Sequence, residues 1–306
     1  MLKNVYLCSK FQMKMKKLGL WAICVMAVMI GRRNLGQTES AEGNDSTTVD
    51  STAVAEVCEV VRADTLATDT VSFEKEEGKI KFSLYVEYPV TGGDSVLRCA
   101  RGYINDFLGG AYNGPMDDAR KMIRTNGENL FYSFMEMCGV TAEEDDVDEL
   151  FLHKTVTKRC ETNTFVTFAL WTCEYTGGIH GISYESGWTF SKKNGRCFTY
   201  DMMKDLDSPG FLRLMKEGLK KYFTPKDCPQ LIDDEDLSEE LVSFGGSVDE
   251  LPLPDTEPYM TEEGVTFIYQ PYEISYYAAG KPEFTIPFDV VRRYLTLEAV
   301  ELFLNP

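Results

Sequence analysis

Histidine is almost missing from this chain of 306 residues, which has only His153 and His180. Two histidines that far apart do not make a metal centre, and the cysteines do not complete one. Nine are present, but the seven after residue 36 (Cys58, Cys99, Cys138, Cys160, Cys173, Cys197 and Cys228) contain no C-x-x-C pair. Metal-site spacing is therefore absent, and no metal and no cofactor is expected. An odd number of thiols also leaves one unpaired in any disulfide scheme, so most are expected to act as small buried apolar residues. The sequence has no Gly-x-Ser-x-Gly elbow, His-Glu-x-x-His, phosphate loop or dinucleotide fingerprint. Basic residues are short as well, at 31 against 49 acidic for a formal net charge of −18. All seven charges before Gln37 are basic, which leaves −25 on the rest. Such a body repels nucleic-acid phosphates and anionic lipid, so neither is an expected partner. It attracts cationic proteins, although the same charge also serves solubility.

A long apolar run is lacking too. Leu18–Ile30 is uncharged and apolar but shorter than the roughly 20 residues of a spanning helix. Lys14, Lys16 and Lys17 stand before it and polar sequence follows, the layout of a secretory signal. Residues 1–36 are read as that leader, with Met13 and Met15 as alternative starts and Asn34-Leu-Gly36 as a tolerable cleavage site. Arg32-Arg33 is unusual there, so an uncleaved leader stays open as the one membrane attachment. Ala22-Ile23 before Cys24 makes a poor lipobox, and no lipoprotein is expected. Residues 37–70, rich in Ser, Thr, Asp and Glu, bury too little apolar surface to fold and are read as a disordered tether. Residues 71–306 form the body.

The body opens with a strand in which Ile80, Phe82, Leu84, Val86 and Tyr88 alternate with polar residues. Two helices follow, one through Val96, Ala100 and Ile104, the other through Ala119, Met122/Ile123, Leu130/Phe131, Phe134 and Cys138. Glu143–Glu149 is an acidic connector without calcium-loop spacing. Leu152–Arg159 and Phe165–Tyr175 read as a hairpin, and Tyr184–Phe190 continues the alternation into a turn at Lys193-Asn-Gly195. Ser208-Pro209 starts a helix through Phe211, Met215 and Leu219. Asp233–Glu240 is a second acidic stretch. Val265–Gln270 and Glu283–Pro287 read as strands, and Phe288–Leu295 as a closing helix. Strands and helices without βαβ alternation predict an α+β fold, a mainly antiparallel sheet with helices packed on it in a single compact body.

Two segments carry a family likeness. One is Tyr175-Thr-Gly-Gly-Ile-His-Gly181 with the turn Lys193-Asn-Gly-Arg196. The other is Phe267-Ile-Tyr-Gln-Pro-Tyr-Glu-Ile274, followed by Phe284-Thr-Ile-Pro287. Their order and spacing from Ser72 to Leu295 resemble the extracytoplasmic domain shared by the RsiV anti-sigma factor and the PdaC peptidoglycan deacetylase. The resemblance implies export to the periplasm or surface of a bacterium. It also implies recognition rather than chemistry, because in those proteins signalling and deacetylation use other segments that are not read in this sequence. A lysozyme-like cationic protein or a peptidoglycan fragment is the implied partner.

Candidate site residues cluster in the same two segments. His180 lies among Gly177, Gly178 and Gly181, which could expose it or simply build a turn. Tyr269, Gln270, Tyr272, Glu273, Tyr276 and Tyr277 form the densest aromatic and polar group, suited to a sugar platform or a protein interface. Alternation sends half of them inward, and Pro271 interrupts the strand so that Tyr272-Glu273 begins a turn. The rival expectation is a peptidoglycan-active hydrolase using His180. A carboxylate pair such as Glu174 with Glu185 is conceivable, but acidic residues are so abundant that proximity in sequence is uninformative.

Overall fold

The structure is a computed structural model that describes residues 65–139, 149–241 and 247–305. All of these fall within one unit, Ala63–Pro306. The leader, the tether up to residue 64 and most of the acidic connector lie outside the described residues. The architecture is α+β with mainly antiparallel strands, as the patterning predicts, but the strands divide into two sheets.

The larger sheet has the order β1-β2-β3-β4-β5. Strand β1 (Ala67–Glu77) joins β2 (Ile80–Thr91) through a tight turn where Gly78 takes φ 60. Every inward residue of β2 predicted by alternation is buried. The tether boundary moves: β1 starts at Ala67, inside the stretch read as disordered, because pairing with β2 satisfies its backbone even though little of it is buried. Only Val71 and Phe73 of β1 pack against the core. Helices α1 (Asp94–Phe107) and α2 (Ala119–Cys138) carry the chain from β2 to β3 (Leu150–Glu161), which makes the β2–β3 pair parallel. Strands β4 (Phe165–Tyr175) and β5 (Ile182–Ser191) complete an antiparallel meander. Val96, Ala100 and Ile104 of α1, with Met122, Ile123, Phe131 and Phe134 of α2, seal one face of this sheet. Glu161 ties the start of β1 down by accepting from Leu66 N (2.8 Å), Lys158 and Lys192. Burial alone would raise that carboxyl, but these partners outweigh it and hold it below the ordinary carboxylate range.

The smaller sheet, β6 (Tyr259–Met260), β7 (Gly264–Ile268) and β8 (Glu283–Pro287), builds a second core with α3 (Pro209–Phe223), α4 (Asp234–Glu240) and α5 (Phe288–Val291). Helix α3 starts as predicted, with the Ser208 side chain accepting from Phe211 N at 3.3 Å and proline in the first turn. The closing helix is shorter than expected. It tightens into a 3₁₀ turn at Arg292–Tyr294, and a further helical turn α6 (Leu297–Ala299) follows.

Two buried threonines fasten the smaller sheet to the larger. Thr167 and Thr189, opposite each other on β4 and β5, lie 2.8 Å apart. Thr167 donates to Met260 O and Met260 N donates to Thr189, both at 2.7 Å. Thr189 must therefore donate to Thr167, so each hydroxyl gives one hydrogen bond and takes one. Thr167→Val keeps the shape but leaves Met260 O with only the long, weak Cys160 thiol contact at 3.8 Å and the Thr189 proton without its acceptor. The expected cost is about 1–3 kcal/mol in urea unfolding. A loss below about 0.5 kcal/mol would mean that the hydroxyl chain does not hold the sheets together.

Candidate functional site

Two loops meet at one end of the larger sheet, the β4–β5 connection Thr176–Gly181 and the β7–β8 connection Tyr269–Pro282. The first turns tightly, with Gly177 at φ 96 and Gly178 at φ 106, both unfavourable for side-chain-bearing residues. Tyr175 Oη donates to Gly178 O at 2.8 Å and pins it. In the second loop, Glu273 N donates to Gln270 O at 3.1 Å and closes a β-turn. Pro271 takes the second position and Tyr272 the third, at φ 69. Glycine is the usual occupant there in a type II turn, and a tyrosine costs of order 1–3 kcal/mol.

The loops bring His180, Tyr272 and Tyr277 together. The His180 ring stacks on Tyr277 with centroids 3.8 Å apart, and Tyr277 Oη donates to Gly181 O at 2.8 Å. His180 Nδ1 lies 2.9 Å from Gly181 O, and Nε2 lies 3.2 Å from Tyr272 Oη. A carbonyl can only accept, so Nδ1 carries the proton, and in the neutral ring Nε2 accepts from the Tyr272 hydroxyl. Tyr276 stands beside them and donates to Glu240 Oε2 at 2.9 Å, which pushes its phenol pKa up. Ser275 Oγ donates to Glu240 O at 2.5 Å and fixes the acidic helix α4 at the margin of the loops.

The candidate residues separate into two groups. His180, Tyr272 and Tyr276 are exposed, and Tyr277 joins them. Tyr269 is not a ligand-binding residue on this surface: it is fully buried in the second core, where its hydroxyl donates to Pro252 O at 2.6 Å. Gln270 and Glu273 are fasteners. The Gln270 amide donates to Glu185 O (2.7 Å) and accepts from Glu185 N (3.1 Å). Glu273 accepts from Gln270 N (2.6 Å) and Asp255 N (2.7 Å). Strand parity is what the sequence could have supplied, since Tyr269 continues the inward phase of Phe267.

The Glu174 and Glu185 pair does not form. Glu185 pairs opposite Trp171, three residues from Glu174 on the same strand, so the two carboxylates point to opposite faces of the sheet. Burial raises the Glu174 pKa, an effect that Lys154 partly offsets. His153 is anchored on the sheet: Nδ1 lies 2.7 Å from Ser83 Oγ and its ring stacks on Phe151 at 4.9 Å. Among the described residues no cluster of His, Cys, Asp or Glu is arranged to hold a metal, and the six described cysteines are free thiols.

Residues 204–289 match a family model described as a protein of unknown function, DUF3298. The match runs from before α3 into α5 and contains the loop Tyr269–Pro282. A solved member of the DUF3298 family from Bacteroides fragilis NCTC 9343 is 17% identical with a TM-score of 0.57, the likeness covering 78% of this chain and 96% of that one. A DUF3298 family protein from Pseudomonas aeruginosa PAO1 is 15% identical with a TM-score of 0.51, over 79% of this chain and 98% of that one. At such identities the likeness is one of fold. No curated protein matches the chain in sequence.

Proposed function

We propose that this chain is an exported, non-enzymatic recognition domain of the bacterial cell envelope whose partner is a lysozyme-like cationic protein. The observation that carries this reading is Tyr272, a non-glycine residue held at φ 69 and 39% exposed. Stability alone would favour glycine there, and strain of this kind persists where an exposed group has work to do. Around it, Ile179, Tyr222, Tyr276 and Tyr277 are also among the exposed large apolar side chains. Tyrosine-rich patches of this kind are the usual centres of protein interfaces. Glu235, Asp236 and Glu239 of α4, the helix fixed to these loops through Ser275, are exposed and supply charge complementary to a basic partner. The RsiV/PdaC-like stretches Tyr175–Gly181 and Phe267–Ile274 run into the same two loops.

The hydrolase reading has less support. His180 is held between the Gly181 carbonyl and the Tyr272 phenol and lies flat on Tyr277, so among the described residues its acceptor nitrogen is engaged by a phenol and not by a serine, thiol or carboxylate.

Tyr272→Gly separates binding from folding. The variant is expected to be at least as stable as the parent, because glycine accepts positive φ, while its affinity for lysozyme falls about tenfold or more. Biosensor titration in 0.15 M salt with parallel thermal melts reads both. Absence of lysozyme binding even at low salt, or binding that vanishes with salt and ignores Tyr272→Gly, would overturn the proposal.

A further inference from the structure

The helices α1 and α2 cover one face of the larger sheet, and among the described residues no element packs across the centre of the other. Strand pairing places Ser83 and Tyr85 of β2, His153, Thr155 and Thr157 of β3, and Trp171 of β4 on that open face, all half-buried or exposed. At one end the Tyr259 ring closes over Gly187, where an added Cβ would sit 2.5 Å from the ring. From there a shallow groove of about 90 Å³ runs past Trp171, with Thr155, Thr157 and Ala169 among its lining and Arg159 and Glu185 on its rim.

The charge of this groove differs from that of the chain. Arg159 is paired with Glu283 at 3.1 Å, and Glu185 is paired with Lys281. The rim charges therefore cancel locally, and the lining between them is hydroxyl and aromatic. A basic protein would find no uncompensated carboxylate there, and a polyanion no free cation. A neutral polyhydroxylated ligand finds what it needs: the half-buried indole of Trp171 for its C–H surface, threonine hydroxyls, and paired ionic groups that accept and donate. The groove is too small to enclose a ligand, since typical pockets span roughly 300–1,000 Å³. It is shallow and open to solvent, which suits a chain lying across a surface.

We infer that the open face of the larger sheet, centred on Trp171, binds a neutral oligosaccharide, at a site separate from the Tyr272 loops. The probes are N-acetylglucosamine and glucose oligomers of four to six units (about the span of a strand), titrated calorimetrically into the full chain. The expected result is saturable binding that changes little between low and 0.5 M salt. It should weaken about tenfold or more in Trp171→Ala and in Thr155→Glu, and stay unchanged in Tyr272→Gly. Thr155→Glu keeps the tryptophan, so the site can still be tested if Trp171→Ala does not fold. No binding to any of these oligomers, or binding indifferent to both face variants, would overturn the inference. Displacement of lysozyme by the face variants alone would move the protein site here and overturn it too. Because Tyr272→Gly is read in the same series, failure at the sheet face is distinct from failure at the loops.

Discussion

Asn126→Ala is expected to destabilise the chain by about 3–5 kcal/mol, more than any substitution at the exposed loops. Asn126 lies fully buried on α2. Its Oδ1 accepts from Ala111 N at 2.8 Å and from Tyr112 N at 3.2 Å, and its Nδ2 donates to Asn105 Oδ1 at 2.7 Å. Asn105 Nδ2 in turn donates to Tyr112 O at 3.2 Å. One side chain thus satisfies the backbone of the α1–α2 connection and locks the two helices to each other. Truncation strands the buried Tyr112 amide and Asn105 carbonyl and the part-buried Ala111 amide, at about 1–3 kcal/mol for each buried group left unmade. Asn105→Ala should cost less, because the Ala111 and Tyr112 amides keep their acceptor. The double variant should cost less than the two single losses added together. A drop in the urea midpoint at unchanged slope is the measurement, and a loss under about 1 kcal/mol for Asn126→Ala would mean that water replaces the side chain.

Gly195→Ala is the second large effect, expected at about 3–4 kcal/mol. Gly195 takes φ 76, where a Cβ costs about 1–2 kcal/mol. An added Cβ would also sit 2.3 Å from the backbone oxygen of Ser95 in the first turn of α1. Backbone cannot rotate aside as a side chain can, so the turn after β5 and the start of α1 would have to separate. Gly78→Ala is the control. It has φ 60 but nothing within 4 Å of the added carbon, so it should show the backbone strain without the collision. Equal losses in the two variants would show that the approach to Ser95 relaxes freely.

These two positions also show how far the sequence can be read. The Lys193-Asn-Gly195 turn was legible because positive φ has a residue signature. The close approach to Ser95 was not, since it depends on where α1 lies. In the turn itself only Gly195 takes positive φ, while Asn194 accepts from Arg196 N at 3.0 Å through its side chain. In α2 the apolar stripe breaks at Asn126-Gly127, where helical spacing calls for a large apolar residue. That break marks both the buried amide and the place where the Phe73 ring reaches the helix, so that a Cβ added at Gly127 would sit 2.5 Å from the ring. Strand β1 was hidden for the opposite reason: an edge strand with few inward residues has almost no period-2 signal. At the candidate site, clustering in sequence pointed to the two loops that the fold brings together. It did not separate Tyr269, Gln270 and Glu273, which build the surface, from His180, Tyr272 and Tyr276, which form it. That division depends on which hydrogen bonds cross between loops, and composition does not carry it.

The Gln270 amide has one further consequence. A strand at the rim of a sheet offers unmatched backbone groups on which a second molecule can extend the ladder, and repeated addition gives a fibre. Strand β5 is such a rim, yet at Glu185 both groups are occupied by a side chain with one donor and one acceptor. Further along, Phe190 pairs with Cys197. The opposite rim, β1, carries Glu74, Lys75, Glu76 and Glu77 instead. The sheet is thus terminated on one side by an amide and on the other by charge, so its open face can be presented to a ligand without seeding growth of the sheet from molecule to molecule.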